Sequence, residues 1–369
     1  MSFLNTYKQL KDIDINEIFN RATFENINRA LHKDQPTSKD FLLLLSPTAE
    51  KYLEDMAKRA HYLTKNFFGK TMMLYTPLYV SDYCANKCLY CGFKADNNFD
   101  RKTLTYKELE QEAKAISEMG IRHILILSGE SRKHVPLNYL QNCVRLLKEY
   151  FSSISIEIYP LETEEYEELI KCGVDGLTIY QEVYNRDIYD TVHLQGPKTD
   201  YEFRLNAPER GLQAGMRRVN IGALQGLGPW RKETFITGMH AKYLLDNFPE
   251  AEVSISFPRL RPFAGQNNSL QYDEVSDKNL VQMIVASRIF LKSAGINIST
   301  RESSELRENL LPLGVTRMSA GVSTEVGGYS GVDEGKSQFE ISDDRPVQKI
   351  KQVLLAHGYQ PVLKDWEIF

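Results

Sequence analysis

From Met72 to Ser319 the sequence keeps one beat: short runs rich in β-branched and aromatic residues alternate with longer stretches of helical apolar spacing. The runs are Met72–Val80, His123–Leu127, Ser153–Ile158, Gly176–Tyr180, Arg218–Ala223, Glu252–Phe257, Ile296–Thr300 and Gly314–Ser319. Between them lie Thr105–Met119, Leu137–Tyr150, Glu164–Lys171, Pro208–Ala214, Lys232–Asn247, Asp277–Ala294 and Ser303–Leu310. A helix between two strands carries the chain back so that both run the same way, which predicts a parallel sheet. Eight strands within about 250 residues match a closed (β/α)8 barrel of the TIM type. An open doubly wound sheet is the other use of the same units. Gly120, Gly173, Gly215 and Gly295 follow helical stretches and read as left-handed caps.

The rest of the chain arranges itself around that core. Residues 1–70 read as a helical extension, 71–320 as the barrel and 321–369 as a loop and a final helix over Val347–His357. The glycine-dense stretch Ala320–Gly331 reads as a loop at the mouth of the last strand. At 42% hydrophobic and 25% charged, 369 residues can fill a large core. A net charge of −4 gives no sign of a nucleic-acid partner. The N-terminus lacks a signal pattern, and no apolar run approaches the ~20 residues of a membrane span. The expected location is cytoplasmic. Five cysteines in a chain of this size do not suggest a disulfide framework.

Three of them sit directly after the first run: Cys84, Cys88 and Cys91, spaced C-x3-C-x2-C. Clustered soft thiolates call for a thiophilic metal. Structural zinc wants four closed ligands, and no second Cys or His pair lies nearby. An iron–sulfur cluster on three cysteines leaves one iron for another ligand. Inert thiols are the bland alternative, and Cys143 and Cys172, each alone, read that way. In a barrel, functional groups gather at the C-terminal ends of the strands. There the sequence places Gly129-Glu130, Glu157, Gln181-Glu182, Arg301 and Ser319. Gly129 and the run Gln225-Gly226-Leu227-Gly228 read as places where a ligand, such as an adenine base, comes close to the backbone. His123, His134 and His193 form no metal-spaced set and read as structural or exposed.

The cysteine loop, with Tyr90 before its last cysteine, resembles that of the radical S-adenosylmethionine (SAM) superfamily. Cys91-Gly92-Phe93, Arg101-Lys102-Thr103-Leu104, Leu127-Ser128-Gly129-Glu130, Tyr180-Gln181-Glu182, His193-Leu194 and Met318-Ser319-Ala320-Gly321 resemble its aromatic amino-acid lyases, over roughly residues 70–345. The resemblance implies a 4Fe–4S cluster on Cys84, Cys88 and Cys91, with SAM on the open iron. It implies Glu130 on the SAM amino group, Arg204 on its carboxylate, and Glu157, Gln181 and Glu182 on the ribose, with Tyr90 in the same cofactor site. Arg301 is the expected clamp on a substrate carboxylate, Arg307 the second choice, and Ser319 an added hydrogen bond. The implied reaction breaks the Cα–Cβ bond of L-tyrosine, giving 2-iminoacetate and p-cresol, for the thiazole of thiamine. Implied partners are an electron donor such as flavodoxin or ferredoxin, and a thiazole synthase. Two alternatives stay open: a tryptophan lyase making 3-methyl-2-indolic acid, and a non-catalytic iron–sulfur redox or scaffold protein. A hydrogenase-maturase branch carries further cluster cysteines at its C-terminal end, and this sequence has no Cys after Cys172.

Overall fold

The computed structural model describes residues 2–263, 273–331 and 337–364. The beat in the sequence becomes strands β1 (Thr71–Ser81), β2 (His123–Ser128), β3 (Ser153–Glu157), β4 (Gly176–Glu182), β5 (Arg218–Ala223), β6 (Glu252–Ser256), β7 (Gly295–Ile298) and β8 (Arg317–Ser319). Each pairs in parallel with the next, and β1 pairs with both β2 and β8, so the sheet closes into a barrel. The helices pack outside it. Thr105 opens the helix Tyr106–Glu118 and Ser276 the helix Asp277–Phe290, each with a capping box that satisfies free N–H groups.

The ladders are uneven, and this positions the site. Pairing of β3 with β4 stops at Ile156↔Leu177, so Glu157 at the end of β3 is paired only toward β2, opposite Leu127. The β7–β8 seam is short too, with two paired positions, Asn297↔Arg317 and Ile298↔Met318. Buried Arg307, on the helix Ser304–Leu310, reinforces it by donating to the Ser319 carbonyl and pairing with buried Asp343 of the C-terminal tail. Arg307 is therefore structural, neither a surface residue nor a substrate clamp.

Five α-helices within residues 3–68 cover one flank. Phe41 stacks on Phe290 at 4.4 Å and Phe3 on His240 at 3.9 Å, while Gln282 donates to the carbonyls of Leu44 and Ser46. The tail crosses the mouth, forms the helix Val347–Ala356, and adds a ninth strand, β9 (Gln360–Val362), beside the start of β1. A three-residue strand carrying a proline shows no periodicity, so the sequence reading has no strand there. Two boundaries also differ. Gly295 lies inside β7, where a Cβ would come within 2.9 Å of Ser254 Cβ, and the eighth strand starts at Arg317 because Gly314 turns the chain at φ 135°.

Candidate active site

The cysteine loop is folded by the residues around it. Arg101 donates to the carbonyls of Asp82, Phe93, Lys94 and Asn97, drawing residues 82–101 around one guanidinium. Ala85 N–H donates to Glu130 O, and Gly129 N–H to Ser81 O. A Cβ on Gly129 would sit 2.3 Å from the Tyr83 carbonyl oxygen. The close approach expected of a ligand at Gly129 is thus made by the cysteine loop itself. Gly226 likewise faces protein, the Asp273 carbonyl at 3.1 Å. On the outer side, residues 87–89 run antiparallel to 192–195, with a bridge between Cys88 and His193. Burial pushes the His193 pKa down to about 3, so the ring is neutral. With Nδ1–H donating to the Tyr189 carbonyl at 2.8 Å, Nε2 accepts from the Tyr90 hydroxyl at 2.6 Å. His193 is structural, and what it holds is the aromatic residue of the motif.

Cys84, Cys88 and Cys91 line a cavity with Ser128, Glu130, Glu182, Lys198 and Arg204. Four charges balance there, three of them buried and Lys198 half-buried. Glu130 accepts from Arg204 at 2.7 Å and from Asn86 at 2.8 Å. Glu182 accepts from Lys198 at 2.7 Å and from Arg204 at 3.3 Å. Burial raises both carboxylate pKa values, but the two cations more than offset it and hold both below the usual range. Burial also works against the charge on Lys198, and Glu182 and Glu130 keep it protonated. The sequence reading missed Lys198. It also missed Gln338, which accepts from the Tyr79 hydroxyl at 2.8 Å and turns its amide toward Cys91 Sγ at 3.9 Å.

A second cavity opens beside the first, at the barrel mouth, and shares Tyr79, Cys91, Glu157, Glu182, Lys198 and Gln338 with it. Its further walls include Tyr75, Tyr180, Leu224, Arg301, Ser319 and Phe339. Arg301 lies over the Phe339 ring at 3.4 Å, and Ser319 Oγ accepts from Thr300 N–H at 3.1 Å. Burial, then the neighbouring Glu182, pushes the Glu157 pKa up to about 7, against the pull of Arg301, Lys198 and Arg204. The fold thus brings together Tyr90, Glu130, Glu157, Glu182, Arg204, Arg301 and Ser319. Gln181 is turned the other way. It alternates with inward Tyr180 and Glu182, and its amide points at the Tyr201 carbonyl at 3.5 Å, away from both cavities.

The cysteine-lined cavity fits a cluster with an open iron. Three thiols surround one space, and no three Cys, His, Asp or Glu groups of the described residues converge on a single-ion position, as closed zinc would require. Ser128 Oγ, in the same wall, is buried without a partner. Paired carboxylates and cations beside the thiols can exchange partners with a ligand bearing an amino and a carboxylate group.

A closed parallel barrel with such a loop after its first strand defines a radical SAM enzyme. The superfamily's sequence model matches residues 78–235, and that of the biotin and thiamin synthesis associated domain matches 256–360. The cofactors that go with it are a 4Fe–4S cluster and SAM. The chain is 38% identical to the 2-iminoacetate synthase of Escherichia coli K12, over all of this chain and 97% of that protein. It is 37% identical to the Salmonella typhimurium enzyme of that name, covering 99% and 97%. The crystal structure of HydG, a maturase of the FeFe-hydrogenase, superposes with a TM-score of 0.89 at 32% identity, over 96% of this chain and 80% of that one. The chain belongs to the 2-iminoacetate synthase family.

Proposed function

We propose that this protein is a radical SAM carbon–carbon lyase that cleaves L-tyrosine to 2-iminoacetate and p-cresol, supplying the thiazole of thiamine. The carrying observation is full-length similarity to 2-iminoacetate synthases, with the cysteine loop and the Arg301 cavity side by side at one barrel mouth. Cys84, Cys88 and Cys91 would hold the 4Fe–4S cluster, and Glu130, Glu182, Lys198 and Arg204 the polar end of SAM. When bound, the cluster and SAM would supply hydrogen-abstracting radical chemistry, given one electron from a donor. The chain's own part is to orient the substrate and keep water away from it. Arg301 offers a planar fork to the substrate carboxylate, and no carboxylate of a described residue forms an ion pair with it. Tyr75, Tyr79 and Tyr180 give aromatic walls for the ring. No described helix is long and apolar enough to cross a membrane. A one-electron donor of the flavodoxin or ferredoxin kind and a thiazole synthase that takes the unstable imine are the partners this reading implies.

The test is to incubate the reduced, cluster-loaded enzyme and SAM with tyrosine and, separately, with tryptophan. p-Cresol and glyoxylate, the hydrolysis product of 2-iminoacetate, are expected from tyrosine. Turnover of tryptophan alone overturns the reading.

A further inference from the structure

Most ionised groups buried in this barrel have partners within the protein. Glu130 and Glu182 share Arg204 and Lys198, Glu302 is held by Arg259 and Arg261, and Arg307 by Asp343. Two groups on the mouth cavity depart from that rule. The Glu157 carboxylate receives no hydrogen bond and makes no ion pair with any described residue; it is half-buried and lines the cavity. Arg301 has no carboxylate partner and gives only a long hydrogen bond, 3.3 Å, to the Arg259 carbonyl. Both are half-buried and open to the cavity, so a ligand entering it meets a carboxylate and a guanidinium that have no charged partner of their own.

These two line the same cavity, each within the electrostatic reach of the other, without touching. One free carboxylate and one free guanidinium in a cavity walled by tyrosines are the complement of a zwitterion. That selects a free α-amino acid over an amine, an acid or a peptide. Glu157 lies one residue past the end of the β3–β4 ladder, at the barrel mouth. Lys198 and Arg204, two further cations nearby, are committed elsewhere, Lys198 to Glu182 at 2.7 Å and Arg204 to Glu130 at 2.7 Å.

We infer that Glu157 receives the ammonium group of the substrate amino acid while Arg301 receives its carboxylate. This assigns Glu157 to the substrate and not to the ribose of SAM, and it rests on the lyase reading for the identity of the amino acid. Glu157 lines both cavities, so the substrate nitrogen lies at their boundary, the part of the substrate turned toward the cysteine side. A nitrogen held there is presented ahead of any carbon, which is what selection of one hydrogen among several requires.

Three ligands separate the contributions: tyrosine, 3-(4-hydroxyphenyl)propanoate without the ammonium, and tyramine without the carboxylate. Each is titrated calorimetrically into anaerobic, cluster-loaded enzyme with SAM and no reductant, so nothing turns over. Wild type is expected to prefer tyrosine to the propanoate by about tenfold or more, as a charge-assisted hydrogen bond gives. Glu157→Gln should bring that ratio within about twofold, with SAM affinity unchanged, and Glu157→Asp should keep an intermediate preference. Arg301→Lys should leave the tyrosine-to-propanoate ratio standing and reduce the tyrosine-to-tyramine ratio. An undiminished preference in Glu157→Gln overturns the assignment, and a fall in SAM affinity beside it restores the ribose role. If wild type binds tryptophan and not tyrosine, the lyase reading fails while the assignment is still tested, by repeating the cycle with tryptophan and indole-3-propanoate.

Discussion

Asp343→Asn should destabilise the protein measurably at neutral pH, from a position in a tail loop that belongs to no strand. Asp343 is 2% exposed. It pairs with Arg307, and Arg345 donates to both its oxygens at 2.8 Å. Removing one partner of a buried pair costs about 3–5 kcal/mol, because the cations left behind stay desolvated. The asparagine keeps one acceptor, which favours the lower end. With an unfolding entropy of about 2.1 cal/mol/K per residue, a chain of this length loses about 4–6 °C of Tm. Differential scanning calorimetry of identically loaded proteins reads this, with Asp190→Asn as control. Its exposed pair with Arg186 contributes close to nothing. The sign with pH is fixed as well. Burial raises the Asp343 carboxyl pKa, but Arg345 and Arg307 more than offset it and hold it below its ordinary value. The stabilisation is therefore complete above the unfolded pKa of about 3.9 and is lost as pH falls through the folded one. A Tm loss below about 1 °C at pH 7, or a difference that persists unchanged at pH 3, would refute the reasoning.

Gly129→Ala drives a Cβ against the Tyr83 carbonyl, a backbone atom that cannot swing aside, so iron incorporated per chain should fall below half of wild type while a folded circular dichroism spectrum persists. Arg301→Lys keeps the charge and loses the fork; 5′-deoxyadenosine should still form while p-cresol falls by about 10²-fold, a loss of positioning. Tyrosine affinity should rise between pH 6 and pH 8 as Glu157, facing Glu182, Arg301, Lys198 and Arg204, ionises through about 7, and Glu157→Gln should flatten that rise.

The barrel was legible because its signal is local and repeated. So was the cysteine loop, where three cysteines within eight positions define the chemistry. What escaped was set by distance or by the way a side chain turns. Lys198 follows Gly196-Pro197 and reads as an exposed turn; only the fold carries it between two carboxylates. Gln338 lies in a polar stretch with no periodicity. Gln181 and Glu182 look interchangeable in sequence, yet the twofold alternation of a strand that puts Tyr180 inside puts Gln181 outside. A bulge between Tyr180 and Glu182, with Glu182 at φ 69°, then sets how that carboxylate enters the cavity. Arg307 has the spacing of a helix surface, and the crossing tail makes that surface an interior.

The contact between Gln338 and Cys91 spans 247 positions, which gives the molecule a history in time. Synthesis at roughly 5–20 residues per second puts roughly 12–50 s between the two ends of that contact. Throughout that interval the thiols exist without the segment that later lies across them. The same tail then runs on to lay β9 against the first residues of β1. The earliest strand of the barrel thus gains its outer neighbour only after the other seven strands have been made, and the newborn chain keeps its cysteine loop uncovered by the tail until Gln338 has been added.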